Sequence, residues 1–421
     1  MKKHIFTLML VALTLGACHN EEPLFPNNND PENPEPNINP DEAWTRFEAI
    51  NLTETQQQMG QQLKSFSWDL FSQTYQLKNK GENILISPFS LNVDLGMLLN
   101  GLDETSFDKL RETMNLKDYQ ISDINEYFRV MVEGLSQDDS HAVFKSANSF
   151  WYNKNYKVVD SFTKTIGDIY KAETKSVDFS KKSTVEAINA WCSEKTNKRI
   201  PKLLDKTSNQ DLFHLINALY FYGKWEAQFD KKQTKKEEFH YADGSKKDVD
   251  MMYKHAEMVV VETEALEYIT LPFNSFSFSM SFFLPKKGHS ITEAIESLKN
   301  DQMTSDLYDL QLWLPKFESE YTIKTLPTAL KAINPSLNFA SLGVNMLKNL
   351  PSEKGGDILQ KTYIKVDEEG VEAAAVTDIM WAGADMHEPP QPRELKFDRP
   401  FLYSINERST GTPVFIGYYG K

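Results

Sequence analysis

Apolar side chains recur at helical spacing across residues 56–77, where Met59, Leu63, Phe66, Leu70 and Leu77 form one stripe, and the same period returns across 91–102. Each stripe predicts a helix that buries one face. Farther along, strand-like runs occupy 257–262, 276–284 and 414–419, and 215–222, apolar except for Asn217, predicts a buried strand. Helical signals come early and strand signals late, an order that predicts an α+β fold and not an alternating doubly wound sheet.

The amino-terminal region carries neither period. Lys2, Lys3 and His4 precede a mostly apolar run over 5–15, too short to span a bilayer, which reads as a secretory signal over residues 1–17. Leu15-Gly16-Ala17-Cys18 resembles the bacterial lipobox, which implies cleavage before Cys18 and lipid on that residue. The competing reading is a plain secretory signal with an incidental cysteine. Residues 18–44 are rich in Asn, Pro, Glu and Asp and hold too little apolar surface to offset the entropy of ordering, so they are expected to form a disordered stalk. Glu21 and Glu22 resemble the surface-export signal of Bacteroidetes lipoproteins. No comparable linker follows until 383–393, so residues 45–421 are expected to form one domain.

Composition then removes several classes of function. Among 421 residues, 60 acidic side chains outnumber 46 basic ones and give a net charge of −14. Binding nucleic acid needs a concentrated positive field, so no such partner is expected. Lys231, Lys232, Lys235 and Lys236 do cluster, but Glu237 and Glu238 follow at once, and the segment reads as a solvated loop or strand edge. The only cysteines are Cys18 and Cys192. With Cys18 lipidated the domain has no disulfide and depends on packing, and Cys192, in the amphipathic run 188–192, reads as a small buried side chain. No Gly-x-Ser-x-Gly, His-Glu-x-x-His or Gly-rich phosphate loop is present. His387-Glu388 runs into Pro389-Pro390, which blocks the helix a zinc site needs, and the other histidines lack metal-ligand spacing. No enzymatic activity, metal or cofactor is expected.

The most informative segment is Asp367-Glu368-Glu369-Gly370-Val371-Glu372-Ala373-Ala374-Ala375-Val376-Thr377-Asp378, followed by a Gly- and Pro-rich region and then Phe397-Asp398-Arg399-Pro400-Phe401. Taken alone, 372–375 has the propensity of an Ala-rich helix. As a strand it alternates: Val371, Ala373, Ala375 and Thr377 share one face, while Glu372, Ala374, Val376 and Asp378 share the other, so both charges fall on one side. The acidic residues, the glycine, the small-residue run and the Phe-x-x-Pro-Phe strand together resemble the reactive loop of the serpin family. The likeness extends over roughly 55–420. Asn83-Ile84-Leu85-Ile86-Ser87-Pro88-Phe89-Ser90 is similar to the family's shutter segment, with Asn217 as the implied partner of Ser87 and Ser90. Gly223-Lys224-Trp225 is similar to the motif that places a tryptophan where the loop enters the sheet, and Ala147-Asn148-Ser149-Phe150-Trp151 and Leu314-Pro315-Lys316-Phe317 also match. One position departs: Gln360 stands where the family usually has a histidine.

The resemblance implies a serpin fold, with a helical part, three β-sheets and an exposed reactive loop over about 368–396. It also implies suicide inhibition of serine endopeptidases, with cysteine endopeptidases as a second class, in which the cleaved loop inserts into the central sheet before the acyl-enzyme hydrolyses. Glu368, Gly370, Val371, Ala373, Ala374, Ala375 and Thr377 would form the hinge. Family spacing from Gly370 puts the scissile bond at Ala384-Asp385, whereas counting back from Phe397 gives a later site among prolines; Ala382 and Met386 are the alternatives. An alanine there suits elastase-like or subtilisin-like enzymes, and Met386 suits chymotrypsin-like or cathepsin-like ones. The implied partners are a peptidase held one-to-one by a covalent bond and, through the lipid, a membrane. The expected state is a monomer liable to loop–sheet polymerisation, on the bacterial outer membrane, facing outward or the periplasm. The competing functions are a non-inhibitory serpin and a surface lipoprotein that binds nutrients.

Overall fold

A computed structural model describes residues 49–78, 82–136, 142–274, 277–300, 302–348, 356–371 and 389–421. The stripe expected over 56–77 folds as α1 (Glu54–Leu77), opened by a capping box in which the side chains of Thr53 and Gln56 accept from each other's backbone N–H groups. The second stripe folds as α2 (Pro88–Leu99) and starts about a turn earlier than its period suggests. There Ser87 caps the amide of Ser90, and Pro88 takes the first turn, where its missing N–H costs nothing. Every residue of α2 is buried, so it is a core helix and not an amphipathic one.

Ten strands position the site. In chain order they are β1 (Ala142–Asn153), β2 (Glu173–Val177), β3 (Phe213–Lys224), β4 (Lys246–Glu262), β5 (Thr304–Pro315), β6 (Phe317–Thr322), β7 (Asp357–Leu359), β8 (Lys361–Val366), β9 (Gly370–Val371) and β10 (Gln391–Lys396). The runs expected over 215–222 and 257–262 lie in β3 and β4, and the other two fall in the strands Phe278–Pro285 and Pro413–Tyr419. β3 is buried along nearly its whole length because α2 packs on one face of the sheet that contains it and the helix Lys182–Lys195 on the other.

Among the described residues three sheets form, of nine, seven and two strands. The seven-stranded sheet runs β6-β8-β9-β3-β1-β2. β1 lines one edge of β3, antiparallel from Phe213 to Gly223. On the other edge two short ladders form. β7 pairs parallel with the start of β3, Asp357↔His214 to Leu359↔Ile216, and β9 pairs antiparallel with its end, Gly370↔Lys224 and Val371↔Gly223. The β7 ladder therefore ends at Ile216, and the β9 ladder begins at Gly223. The nine-stranded sheet contains the β4–β5 pair and β10, which runs parallel to β5 from Tyr308↔Gln391 to Trp313↔Lys396.

Cys192 is free and buried in the helix Lys182–Lys195, where desolvation pushes its thiol up to about 12, as suits an inert packing residue. Cys18 and the stalk over 18–44 lie outside the described residues.

Candidate functional site

The acidic run 367–369 forms the turn between β8 and β9. The Asp367 N–H donates to the Gly370 oxygen at 3.0 Å, and Asp367 Oδ1 accepts from the Glu369 N–H at 3.0 Å. Gly370 has φ of 153°, and a Cβ there would lie 2.1 Å from the Gly223 oxygen and 2.7 Å from Lys224 Cα, so only glycine lets the chain turn against β3. Val371 is buried and sits directly opposite Val366. Directly opposed side chains share a face, so Val371 points inward with Thr362, Ile364 and Val366, the buried set of β8.

Three hydrogen bonds tie this turn to the segment that follows β3. The Trp225 N–H donates to the Glu369 oxygen at 2.9 Å, the Phe229 N–H to the Glu368 oxygen at 2.9 Å, and Trp225 Nε1–H to the Asp367 oxygen at 3.0 Å. The indole is buried and stacks on Phe273, with ring centres 4.8 Å apart. The buried Glu368 carboxylate accepts from Thr234 Oγ1 at 2.8 Å and pairs with Lys316 Nζ at 2.8 Å. Burial alone would raise its pKa, but Lys316 and Thr234 outweigh that and hold it below the ordinary value of 4.5. Asp367 goes the other way, and burial lifts it above its ordinary value. Lys231, which reads from the sequence as part of a solvated cluster, pairs with Glu369. It stays largely exposed, yet it belongs to this turn.

At the other end of the β3 edge, Gln360 is buried between β7 and β8. Its Oε1 accepts from the Ser87 N–H at 2.9 Å and its Nε2–H donates to the Ser87 oxygen at 3.0 Å. A side-chain amide can meet both polar groups of one residue in this way, so the departure from histidine leaves no gap here. Thr362 Oγ1 donates to the Leu85 oxygen at 2.6 Å, a second tie between this sheet and the strand leading into α2.

Asn217 does not take the partners implied by the resemblance. It donates to Ser146 Oγ at 2.9 Å and to Asn148 Oδ1, and makes no hydrogen bond to Ser87 or Ser90. The reason is register: Asn217 lies directly opposite Asn148 in the β3–β1 ladder. Its Oδ1 and Ser90 Oγ remain buried without partners. One turn beyond Ser90 on α2, Asp94 is fully buried with both oxygens unpartnered, and desolvation pushes its pKa well above 3.8.

The remaining loop positions, Ala373, Ala374, Ala375, Thr377, Ala382, Ala384, Asp385 and Met386, lie outside the described residues, and the chain is described again from Pro389. Among the described residues no cluster of His, Cys, Asp or Glu could hold a metal ion. Sequence reasoning missed Thr234 and Lys231 as partners of the acidic turn. Lys316 did stand in a matching motif, without a role.

The family model of serpins, described as serine protease inhibitors, matches residues 61–420. This chain is a serpin. Members of the family are typically non-enzymatic and are commonly protease inhibitors. An uncharacterized serpin-like protein of Thermococcus kodakarensis is 26% identical, over 99% of this chain and 98% of that protein. Human Serpin B4 is 27% identical, over 85% of this chain and 97% of its own length. The native-state crystal structure of tengpin, a thermophilic serpin, superposes with a TM-score of 0.75 at 29% identity, over 88% of this chain and 95% of that one. The three-sheet architecture is thus the serpin fold, and the turn anchored by Trp225 leads into β9, which ends at Val371.

Proposed function

We propose that this serpin is a suicide-substrate inhibitor of serine endopeptidases, with cysteine endopeptidases as a second class of target. The observation that carries the reading is β9: Gly370 and Val371 are already seated between β8 and β3 as the first residues of a strand, in defined register and with Val371 inward. Continuing that antiparallel register, each step forward in the loop is one step back along both neighbours. Residues 372–377 then run along 222–217 of β3, and Thr377 meets Asn217 and Gln360. The inward set Val371, Ala373, Ala375 and Thr377 is small enough to enter a packed sheet, and the charges of Glu372 and Asp378 stay outward.

Beyond Thr377 the strand must part β7 from β3, a ladder of three pairs. At Phe213, where β3 begins, the register reaches Trp381, and residues 382–384 trail off the end of the sheet. Each of the three candidate bonds lies beyond the sheet in this register, and family spacing from Gly370 selects Ala384-Asp385 over Ala382 and Met386. The peptidase nucleophile adds to the Ala384 carbonyl, the bond to the Asp385 nitrogen breaks, and the freed amine leaves as the acyl-enzyme forms. Insertion then carries the acylated end to the far end of the sheet. About ten new ladder bonds at ~1 kcal/mol net each give on the order of 10 kcal/mol to drive this. An alanine before the cut suits a shallow pocket, so elastase-like or subtilisin-like enzymes are the proposed targets. Loop insertion into a second copy, and so polymerisation, uses the same edge.

The proposed setting is the outer membrane, with residues 1–17 removed, lipid on Cys18, a stalk over 18–44 and the serpin domain from 45 to 421; the lipobox-like run and the biased stalk support it. A Cys18→Ala variant that still partitions with membranes would remove the anchor from this account.

The test is denaturing electrophoresis of the protein incubated with pancreatic elastase, neutrophil elastase, subtilisin, chymotrypsin and papain, with mass spectrometry of the released carboxy-terminal peptide. A band at the summed mass and a peptide starting at Asp385 are expected. Clean cleavage without such a band for every enzyme would make the protein a substrate, and a non-inhibitory serpin would replace this reading.

A further inference from the structure

His214 stands near the start of β3, directly opposite Asp357 of β7, in the three-pair ladder that parts on the proposed reading. Paired residues share a face of the sheet, so the imidazole and the carboxylate lie side by side across the seam, on strands about 5 Å apart. Only 6% of His214 is exposed. Its Nε2–H donates to Asp211 Oδ2 at 3.1 Å, and that oxygen also accepts from the Ser208 N–H at 2.8 Å. Desolvation would raise Asp211, but His214 and the Ser208 amide outweigh it and hold the carboxyl below 3.8. Asp211 is therefore an acceptor only, and the proton of the neutral ring sits on Nε2. The other ring nitrogen, Nδ1, is buried with no partner.

The other groups around the ring are apolar or already paired. Trp151 of β1 lies opposite His214 on its other side, and Phe179 meets the ring edge-on with centres 4.9 Å apart. On the turn that carries Phe179, Asp178 pairs with Lys154 at 3.1 Å. The helix Lys182–Lys195 buries Ile188, Trp191 and Cys192 on this side of the sheet, while its Lys182 and Glu186 pair with each other in solvent. Lys361 of β8 pairs with Glu320. Asp357 meets solvent on one side, yet desolvation lifts its pKa above 3.8, with His214 opposing the rise and Asp211 adding to it. One imidazole is thus flanked by two carboxylates, one on the segment that leads into β3 and one on the strand that must leave it.

We infer that His214 is a pH-operated latch: its imidazolium draws Asp357 against β3 and holds the three-pair ladder shut, and the neutral ring lets the ladder part. Histidine is the side chain that gains its charge between about pH 8 and pH 5. The incoming proton goes to Nδ1, where a buried donor needs an acceptor, and the new charge favours the ionised form of Asp357 across the seam. Separating β7 from β3 breaks that pairing, so protonation favours the closed sheet. Acid therefore slows opening, and a return to neutral pH releases it. The inference deepens the inhibitor reading, which makes this ladder the gate for loop insertion, but the latch itself is measurable with no peptidase present.

The test is hydrogen–deuterium exchange of the full chain at about pH 5.5 and about pH 8, corrected for the intrinsic exchange rate at each pH and read on peptides spanning 356–360. Their protection in the parent should be about fivefold higher at the lower pH. His214→Gln keeps a donor for Asp211 but cannot gain a charge, and Asp357→Asn keeps the shape but removes the charge. Both variants should show equal protection at the two pH values. Peptides of β1 within 144–150 are the control and should not respond to pH in any of the three proteins. Equal protection at both pH values in the parent overturns the inference, and so does a pH dependence that survives in either variant; if one variant fails to fold, the other decides. Trapping is measured separately with subtilisin and pancreatic elastase. The rate constant for His214→Gln divided by that of the parent should be about five at pH 5.5 and about one at pH 8. A ratio of one at both removes the latch from control of insertion. If exchange behaves as expected and neither enzyme forms a covalent complex, the latch stands and the inhibitor reading falls.

Discussion

The indole N–H of Trp225 donates to the main-chain oxygen of Asp367 at 3.0 Å, so the residue that follows β3 holds the turn between β8 and β9. Trp225→Phe keeps a ring to stack on Phe273 but leaves that oxygen without its donor. The native form should lose about 1 kcal/mol. It should also convert faster, on warming, to an inactive form with the loop inserted. Differential scanning calorimetry and residual inhibition after incubation check this, and equal melting and equal decay would show that stacking alone anchors the turn.

Glu368 gives a pH dependence of defined sign. Its carboxyl is held below the ordinary value of 4.5 in the folded protein, because Lys316 and Thr234 outweigh burial. Stability from such a group is present above 4.5 and is lost as pH falls through the lower folded value. Glu368→Gln should therefore be less stable than the parent at neutral pH, with the gap closing in acid. Melting temperatures across pH decide it, and a gap that stays constant would mean the ion pair contributes nothing specific to charge.

Asp94 should behave in the opposite sense. Desolvation raises its pKa well above 3.8, and neither oxygen has a partner. The stability contribution is present below 3.8 and is lost as pH rises through the folded value. Asp94→Asn, which cannot ionise, should gain on the parent as the solution becomes more alkaline. Parallel melting curves for the two proteins across pH would contradict the assignment.

Trp381 offers a test of register. On the proposed reading, a strand continued from β9 would set it opposite Phe213 and Gly356, beside a small cavity lined by Leu98, Leu212, Phe213 and Gly356, which parting β7 from β3 would widen. Trp381→Ala should leave the native melting temperature unchanged and cost the cleaved, inserted form ~3 kcal/mol. Equal losses in both forms, or none in the cleaved form, would mean that the strand stops short of the base of the sheet.

Much of the architecture was legible from local pattern. The stripe of α1, the apolar run of β3 and the early-helix, late-strand order all report burial that each segment makes for itself. Gly370 stood out in the sequence too, and the structure shows a backbone there that only glycine adopts against β3. The wiring between distant segments was not. Asn217 was expected to serve Ser87 and Ser90, but its place opposite Asn148 commits its donors to β1. Gln360 departs from the family's histidine by identity, and only the position of Ser87 shows that an amide fits. The partners of Glu368 and Glu369 come from two separate segments, and no periodicity brings Lys231 and Thr234 of one and Lys316 of the other to one turn.

The three-pair ladder between β7 and β3 has a consequence for time. On the proposed reading it must open both when an intact molecule inserts its loop by accident and when a cleaved one inserts it to trap an enzyme. One more hydrogen bond there, at ~1 kcal/mol in the barrier, would lengthen the idle lifetime of the protein about fivefold. It would slow the triggered event by the same factor, while the acyl bond hydrolyses at its own unaltered pace. Durability on the shelf and success in that race are thus set by one short stretch of backbone, and neither can be improved there without loss of the other.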